Sequence, residues 1–193
     1  MTQHKKGNGK SVVLSVIGRD RPGIVASVSR VLYQSGCNIE ALSQIAILGQ
    51  FAMIVIASGA SGETLEELRR GCENLMRDQG LDIHLKELRP EDMVAYRKGE
   101  TEPFVITVWG EDRPGLAFGI SETLADCGVN ITNLDARVAT IENKLEYIQI
   151  FEVDVPGDLD LEVVRGRLRE RGEQMGVRVD LQHRGIFRAM NQI

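Results

Sequence analysis

Two aspartates and two asparagines stand at matching places in this chain of 193 residues. Asp20 and Asp112 each open the tetrapeptide Asp-Arg-Pro-Gly, and Asn38 and Asn130 each lie in the later motif Gly-x-Asn-Ile. Carboxylate and amide oxygens accept hydrogen bonds from an ammonium group. Each aspartate also precedes a predicted helix, whose free N-terminal N–H groups attract a carboxylate. The two motifs could therefore hold a small molecule that carries both kinds of charge.

A glycine lies three residues after each aspartate, inside the first turn of the predicted helix. Glycine costs about 1 kcal/mol there relative to alanine, so we expect a ligand or a neighbouring strand to approach the backbone of Gly23 and Gly115 closely. Asn38 and Asn130 begin the strand that returns beside this turn. We therefore expect their amides to come near the aspartates.

The aspartates also allow a purely structural interpretation. An aspartate before a helix caps free N–H groups and opposes the helix dipole, which stabilises the helix by about 1 kcal/mol. Capping would be duplicated together with the rest of the repeat, so the residues alone leave the two interpretations equally open. Under the other interpretation the ligand is a free α-amino acid, which carries both an ammonium and a carboxylate group.

The elements that position these residues form an internal repeat. With Gly18 aligned to Gly110, residues 18–42 match residues 110–134 at 11 of 25 positions without a gap. Apolar periodicity and turn residues predict strand, helix, strand, strand, helix, strand in each repeat. The predicted ranges are 11–17, 22–35, 38–48, 51–58, 63–79 and 81–88 in the first repeat, and 104–109, 114–127, 130–140, 146–155, 161–175 and 177–184 in the second.

This order predicts an α+β fold of two ferredoxin-like βαββαβ domains, each a four-stranded antiparallel sheet with both helices on one face. The expected boundaries are 11–88 for the first domain, 89–103 for a linker, 104–185 for the second domain and 186–193 for a tail that docks as a helix. Leu65 aligns with Leu161 at a larger offset, so about four residues were inserted at 141–145 or at 156–158.

Apolar residues occupy both faces of the central strands in the first repeat, as in residues 12–17 and 51–56. A sheet with one wet face should alternate apolar and polar residues. The pattern has two explanations: strong strand formers on a partly covered surface, or packing of this face or edge on the second repeat or another chain. We favour the packing explanation, because large exposed apolar patches are uncommon in monomers.

Composition and charge narrow the class of protein. A net charge of −5 disfavours nucleic-acid binding, which depends on Lys and Arg contacts to phosphate. No apolar run approaches the roughly 20 residues of a membrane span, and the polar N-terminus does not resemble a signal peptide. Three widely spaced cysteines fit a reducing compartment, so we expect a cytoplasmic protein.

Neither catalysis nor metal binding finds support in the sequence. His4, His84 and His183 are scattered, and none stands with a convincing nucleophile and an orienting carboxylate. The cysteines and histidines have no metal-ligand spacing. We expect no cofactor, no metal and no catalytic residue; an enzyme of unrecognised class is the most distant alternative.

The combination of Asp-Arg-Pro-Gly, a helix of about 15 residues and Gly-x-Asn-Ile inside a βαββαβ unit resembles the ACT domain, a family of small regulatory modules. The resemblance implies that an amino acid sits between two modules, held by the turn after the first strand and by the Asn that begins the second. It implies these ligand-binding positions: Asp20, Gly23, Ile24, Asn38 and Ile39 in the first repeat, and Asp112, Gly115, Leu116, Asn130 and Ile131 in the second.

Residues 36–40 (Gly-Cys-Asn-Ile-Glu) and 48–54 (Leu-Gly-Gln-Phe-Ala-Met-Ile) are similar to the first domain of the glycine cleavage system transcriptional repressor family. The resemblance implies a homodimeric, non-enzymatic sensor that binds a small amino acid and modulates a protein partner, either a transcription factor or an amino-acid metabolic enzyme. The alternative is an assembly module without a ligand, in which the turns cap helices and the apolar sheets mediate association.

Overall fold

Residues 10–93, 99–141 and 144–191 are described by a computed structural model of the chain. The chain divides into two compact units, Met1–Ala95 and Tyr96–Ile193. These units are called the first and the second module.

The first module consists of β1 (Lys10–Arg19), α1 (Ile24–Gln34), β2 (Asn38–Ile47), β3 (Gln50–Ala60), α2 (Gly62–Gln79) and β4 (Asp82–Leu88). Its strands form one antiparallel sheet in the order β2-β3-β1-β4. The crossover through α1 makes β2 parallel to β1, with β3 between them. β2 is therefore an edge strand, and it begins at the end of the sheet where β1 begins.

The second module repeats this arrangement with β5 (Thr101–Gly110), α3 (Leu116–Asp126), β6 (Asn130–Ile141), β7 (Lys144–Pro156), α4 (Leu161–Met175) and β8 (Arg178–His183). Its strand order is β6-β7-β5-β8, again antiparallel throughout. Both modules thus have the predicted ferredoxin-like fold, and the sequence-based fold class is confirmed.

Residue periodicity explains why each sheet buries one face under its helices. Val12, Leu14 and Val16 alternate along β1 and are fully buried. Ile24, Val28 and Leu32 recur at four-residue spacing on α1 and pack into the same core, to which β3 and α2 also contribute. The corresponding residues of the second module form a core of the same kind.

The inserted residues lie in the hairpin of the second module. Tyr147 pairs with Gly110 as Phe51 pairs with Gly18, although Tyr147 lies 96 residues after Phe51. The extra residues therefore precede Tyr147, and β6 has 12 residues where β2 has 10. Of the two predicted places for the insertion, the hairpin is correct and the loop 156–158 is wrong.

Two predicted element boundaries are wrong in a way that affects the site. Residues Pro22 and Pro114 lie in turns before their helices, because α1 begins only at Ile24 and α3 only at Leu116. The predicted linker 89–103 also contains regular structure, with a 3₁₀ helix at Pro90–Met93 and the start of β5 at Thr101.

The outer faces of the two sheets, opposite the helices, differ in their exposure. Ile17 and Ile54 on the outer face of the first module are each more than half exposed. In the second module Val105 on the outer face is buried. The last helix, α5 (Arg184–Asn191), packs against β5 and β8, and Arg184 lies 3.5 Å from Glu152 of β7. The tail thus docks as a helix, as its apolar spacing predicted.

Candidate functional site

The turn between β1 and α1 is fixed to its own module by backbone and side-chain hydrogen bonds. The N–H of Asp20 donates to the carbonyl of Gly49 in the β2–β3 turn, with an N–O distance of 2.9 Å. Arg21 donates to the carbonyl of Gln79 at the end of α2. The carboxylate of Asp20 is exposed at this end of the sheet.

Neither Asp20 nor Asp112 caps its helix. The N-cap residues are Gly23 and Gly115, and neither helix N-terminus receives a hydrogen bond from a capping side chain. The interpretation that these aspartates cap the free N–H groups of their helices is therefore wrong. The first N–H groups of α1 and α3 are left for solvent or a ligand, which suits an anionic group.

Backbone conformation explains the two glycines. Gly23 has a φ of 97° and Gly115 a φ of 93°, values that side chains of L-residues rarely adopt. A Cβ atom added to either glycine would meet nothing within 4 Å. The expectation that a neighbouring strand approaches these glycines closely is wrong, and the space beside both is open. Close approach of a ligand stays a prediction.

Close approach occurs instead at Gly18 and Gly110, near the end of the first strand of each module. A Cβ on Gly18 would lie 2.7 Å from Cδ2 of Leu81, and one on Gly110 would lie 2.9 Å from Cγ1 of Val177. The absence of a side chain at these glycines leaves room for Leu81 and Val177, the residues just before β4 and β8.

Asn38 does not come near Asp20 within the module. Asn38 pairs with Ser58, whereas Ile47 at the other end of β2 pairs with Gln50, next to the Asp20 turn. Nine residue steps of about 3.3 Å separate the two ends, roughly 30 Å. The Asn38 amide donates instead to Glu40, with a distance of 2.9 Å.

The second module separates its pair in the same way. Asn130 pairs with Asp154, while Gly110 before the Asp112 turn pairs with Tyr147, seven residues away along β7. The separation is roughly 23 Å. The sequence-based expectation that each asparagine comes near its aspartate is therefore wrong for a single module.

The apolar residues predicted to line a pocket belong mainly to the cores. Ile24 and Leu116 are buried under their sheets. Ile131 packs partly against the core of the second module. Ile39 is about one-third exposed on β2 and is the most accessible of the four.

The two turns differ in the partners of their arginines. Arg113 donates a hydrogen bond of 2.6 Å to Glu111, and this guanidinium lowers the pKa of the Glu111 carboxyl below its ordinary value. The first module has Arg19 at the equivalent position, and Arg21 turns to the end of α2 instead. The second turn therefore carries an additional carboxylate.

Sequence reasoning missed one polar residue close to the second turn. Gln149 on β7 is fully buried, and neither its Nε2 nor its Oε1 has a hydrogen-bond partner. It pairs with Val108, two residues before Gly110, and faces the helices like Phe151 and Val153. Strict alternation with Phe151 in the sequence was the signal that could have placed a glutamine inside the core.

A shallow groove of about 220 Å³ lies between α3 and α4, towards the C-terminal half of α3 and away from the Asp112 turn. Arg171 crosses it to Glu122 with a distance of 2.8 Å. The other lining residues are Thr123, Asp126, Arg167, Glu170 and Gln174. Charged side chains of both signs line the groove, as on a solvated helix surface.

Within residues 10–93, 99–141 and 144–191, no cluster of histidine, cysteine and acidic side chains could hold a metal ion. No helix in this part of the chain is long and apolar enough to cross a membrane.

Comparison with known families decides the class of the two modules. The model of the ACT domain matches residues 10–86 and again residues 102–182. The chain belongs to the ACT domain family. The two matches cover both βαββαβ units, so this is a tandem ACT protein.

Curated relatives of this ACT protein are single-module chains of the UPF0237 group. One from Methanopyrus kandleri is 33% identical over 89 residues, which are 46% of this chain and 96% of the relative. Another from Methanocaldococcus jannaschii is 34% identical with the same coverage.

Two solved structures match most of the length of this chain. A protein of unknown function from Galdieria sulphuraria is 26% identical, with a TM-score of 0.72 over 91% of this chain and 99% of that one. A protein described as a glycine cleavage system transcriptional repressor is 19% identical, with a TM-score of 0.66 over 91% of this chain and 98% of that one. At that identity the second likeness concerns the fold alone.

Proposed function

We propose that this ACT protein is a non-enzymatic regulator that binds a small amino acid between two ACT modules and thereby modulates a protein partner. The single observation that carries the proposal is the separation of Asp20 from Asn38 within a module. A ligand that needs both residues requires two modules whose edge strands run antiparallel. Such pairing places the first residue of one β2 beside the last residues of the other.

The open helix N-terminus and the nearby acidic side chain supply the polar contacts that an amino acid needs. The N–H groups at Gly23 and Ile24 would receive the ligand carboxylate. The carboxylate of Asp20 and the amide oxygen of Asn38 from the partner module would accept hydrogen bonds from the ammonium group. The second site would use Asp112, Gly115, Asn130 and Ile131 in the same roles.

The edge of the first module supports association of two copies into a homodimer. Every residue of β2 is exposed, and its unpaired N–H and C=O groups can receive another strand. Natural edge strands are often protected by charged residues. β2 carries one charged residue, Glu40, which is held by Asn38 and Ser58.

Modulation of a partner would follow from the dependence of the dimer on ligand. An amino acid that bridges two modules binds the paired arrangement more tightly than separate modules, so it shifts the population towards pairing. A transcription factor or an amino-acid metabolic enzyme that recognises one arrangement would then respond to the amino acid.

Calorimetry with the twenty amino acids tests the proposal on the full chain. We expect one or a few small amino acids to bind, and the double variant Asp20→Ala, Asp112→Ala to lose this binding while remaining folded. The variant Asp158→Ala, in a loop of the second module, is a matched control that should keep it. Absence of binding by the wild-type protein would refute the sensor.

A ligand-free assembly module is the second candidate, and the exposed isoleucines of the first sheet favour it. Ile17, Ile45, Ile47 and Ile54 are each more than half exposed, and association could bury them without any ligand. In that case dimer formation would be independent of amino acids and would depend on the outer sheet face rather than the β2 edge.

A further inference from the structure

The buried amide of Gln149 is a polar group that the fold of the second module does not need. Gln149 is fully buried, and neither atom of its amide is hydrogen-bonded. Buried polar groups are almost always paired, and an unpaired one requires an explanation such as a water or a ligand. In the first module the equivalent residue is Met53, which pairs with Val16 as Gln149 pairs with Val108. An apolar side chain of similar length therefore fits this place.

The position of Gln149 in the sheet connects it with the second turn. It lies two residues along β7 from Tyr147, the partner of Gly110, and so about 7 Å from the end of β5 where the Asp112 turn begins. It projects from the same face as the helices, under the α3 layer, because Phe151 and Val153 in the same alternation are core residues.

The edge strand beside Gln149 is also different in the two modules. The direct neighbour of Gln149 on β6 is Ala136, which is exposed. The direct neighbour of Met53 on β2 is Gln44. On the helix side of the sheet, only the methyl group of Ala136 therefore lies between Gln149 and the open edge. In the first module the long side chain of Gln44 occupies the equivalent place.

We infer that Gln149 is a specificity-determining residue of the second module, where its amide hydrogen-bonds the side chain of a bound amino acid that carries a hydroxyl or carboxamide group. The inference rests on the proposed amino-acid site at the Asp112 turn. A carboxamide both donates and accepts, so it suits hydroxyl and carboxamide groups and disfavours apolar analogues that leave it unpaired. The first module, with Met53, lacks this preference.

Calorimetry on the full chain with matched ligands tests the inference. In an Asp20→Ala background, which leaves only the second site, serine is compared with alanine and glutamine with methionine. We expect the polar member of at least one pair to bind about tenfold more tightly. In the Gln149→Met variant the two members should bind nearly equally. The Met53→Gln variant is the matched control and should leave this ratio unchanged.

The outcomes separate this inference from the function on which it rests. If amino acids bind but Gln149→Met preserves the selectivity, the role of Gln149 is refuted and the sensor stands. If the wild-type chain binds no amino acid, both fail. The side-chain amide signal of Gln149 in NMR spectra of the Asp20→Ala protein gives a second readout that does not need the methionine variant. It should shift on titration with the preferred ligand, and a constant position would indicate an ordered water instead.

Discussion

The N–H of Asp20 bonds to the carbonyl of Gly49, and this contact places Asp20 at the end of the sheet opposite Asn38. Asp20 and Asn38 are thus about one strand length apart within the first module. Any ligand that touches both must bridge two modules.

Pairing of the β2 edges makes a prediction that separates the two candidate functions. Leu42→Lys places a charge on the β2 edge, whereas Ile54→Lys places one on the outer face of central strand β3. Under the proposed function Leu42→Lys should weaken dimerisation at least tenfold and abolish its dependence on amino acids, while Ile54→Lys changes it little. Sedimentation velocity with and without ligand measures both. If Ile54→Lys weakens dimerisation and Leu42→Lys changes it little, the ligand-free assembly module is favoured instead.

The positive φ of Gly115 predicts a loss of stability on substitution. Gly115→Ala forces a side chain into the left-handed region and should lower the free energy of unfolding by about 1–2 kcal/mol. Gly166→Ala is the control in the same module, because Gly166 is exposed within α4 and has open space around it. That substitution should stabilise by up to about 1 kcal/mol. Urea denaturation measures the free energy of unfolding of both variants. Equal changes would show that the positive φ of Gly115 does not require a glycine.

The arginines of the two turns should differ in their contribution to stability. Arg21 donates to the carbonyl of Gln79 in a half-buried position, so Arg21→Ala should cost about 1–2 kcal/mol. Arg113 pairs with the exposed Glu111, so Arg113→Ala should change stability much less than Arg21→Ala does. The pKa of Glu111 should rise in Arg113→Ala, which NMR titration detects. A larger loss in Arg113→Ala than in Arg21→Ala would overturn this contrast.

The buried thiol of Cys72 predicts a loss of stability at alkaline pH. Burial raises the pKa of Cys72 to about 11, the charge of Glu73 adds to the rise, and Arg69 opposes it. The unfolded thiol loses its proton near pH 9 while the folded thiol keeps it. The contribution is therefore complete below pH 9 and is lost as pH rises towards 11, by an amount on the order of 2 kcal/mol.

Comparison of wild type with Cys72→Ala isolates this contribution. The variant is less stable at pH 7 because of the cavity, but the difference in unfolding free energy between the two proteins should shrink from pH 9 to pH 11. Denaturant titrations at each pH measure it. A constant difference would show that Cys72 does not titrate differently in the two states.

The sequence predicted the fold well because its signals are local. Turn glycines and alternating apolar residues such as Val12, Leu14 and Val16 determine where strands and helices run. The site was predicted less well because its geometry depends on the strand register. That Asn38 pairs with Ser58 follows only once the crossover through α1 is placed on the sheet. The sequence did not reveal the positive φ of Gly23, because a glycine is favoured both by a positive φ and by a close backbone contact.

The longer hairpin of the second module shows how this family can change length without losing its core. The four inserted residues are shared equally by the two paired strands, because β6 has 12 residues where β2 has 10 and β7 has 13 where β3 has 11. Hydrogen-bonded and non-hydrogen-bonded residue pairs alternate along an antiparallel ladder, so a gain of two residues in each strand leaves the same kind of pair at the end of the hairpin. One added residue per strand would leave Phe151 and Val153 on the core face, because both strands lengthen together, but the other kind of residue pair would then close the hairpin. We therefore expect natural length variation at this hairpin to come in steps of four.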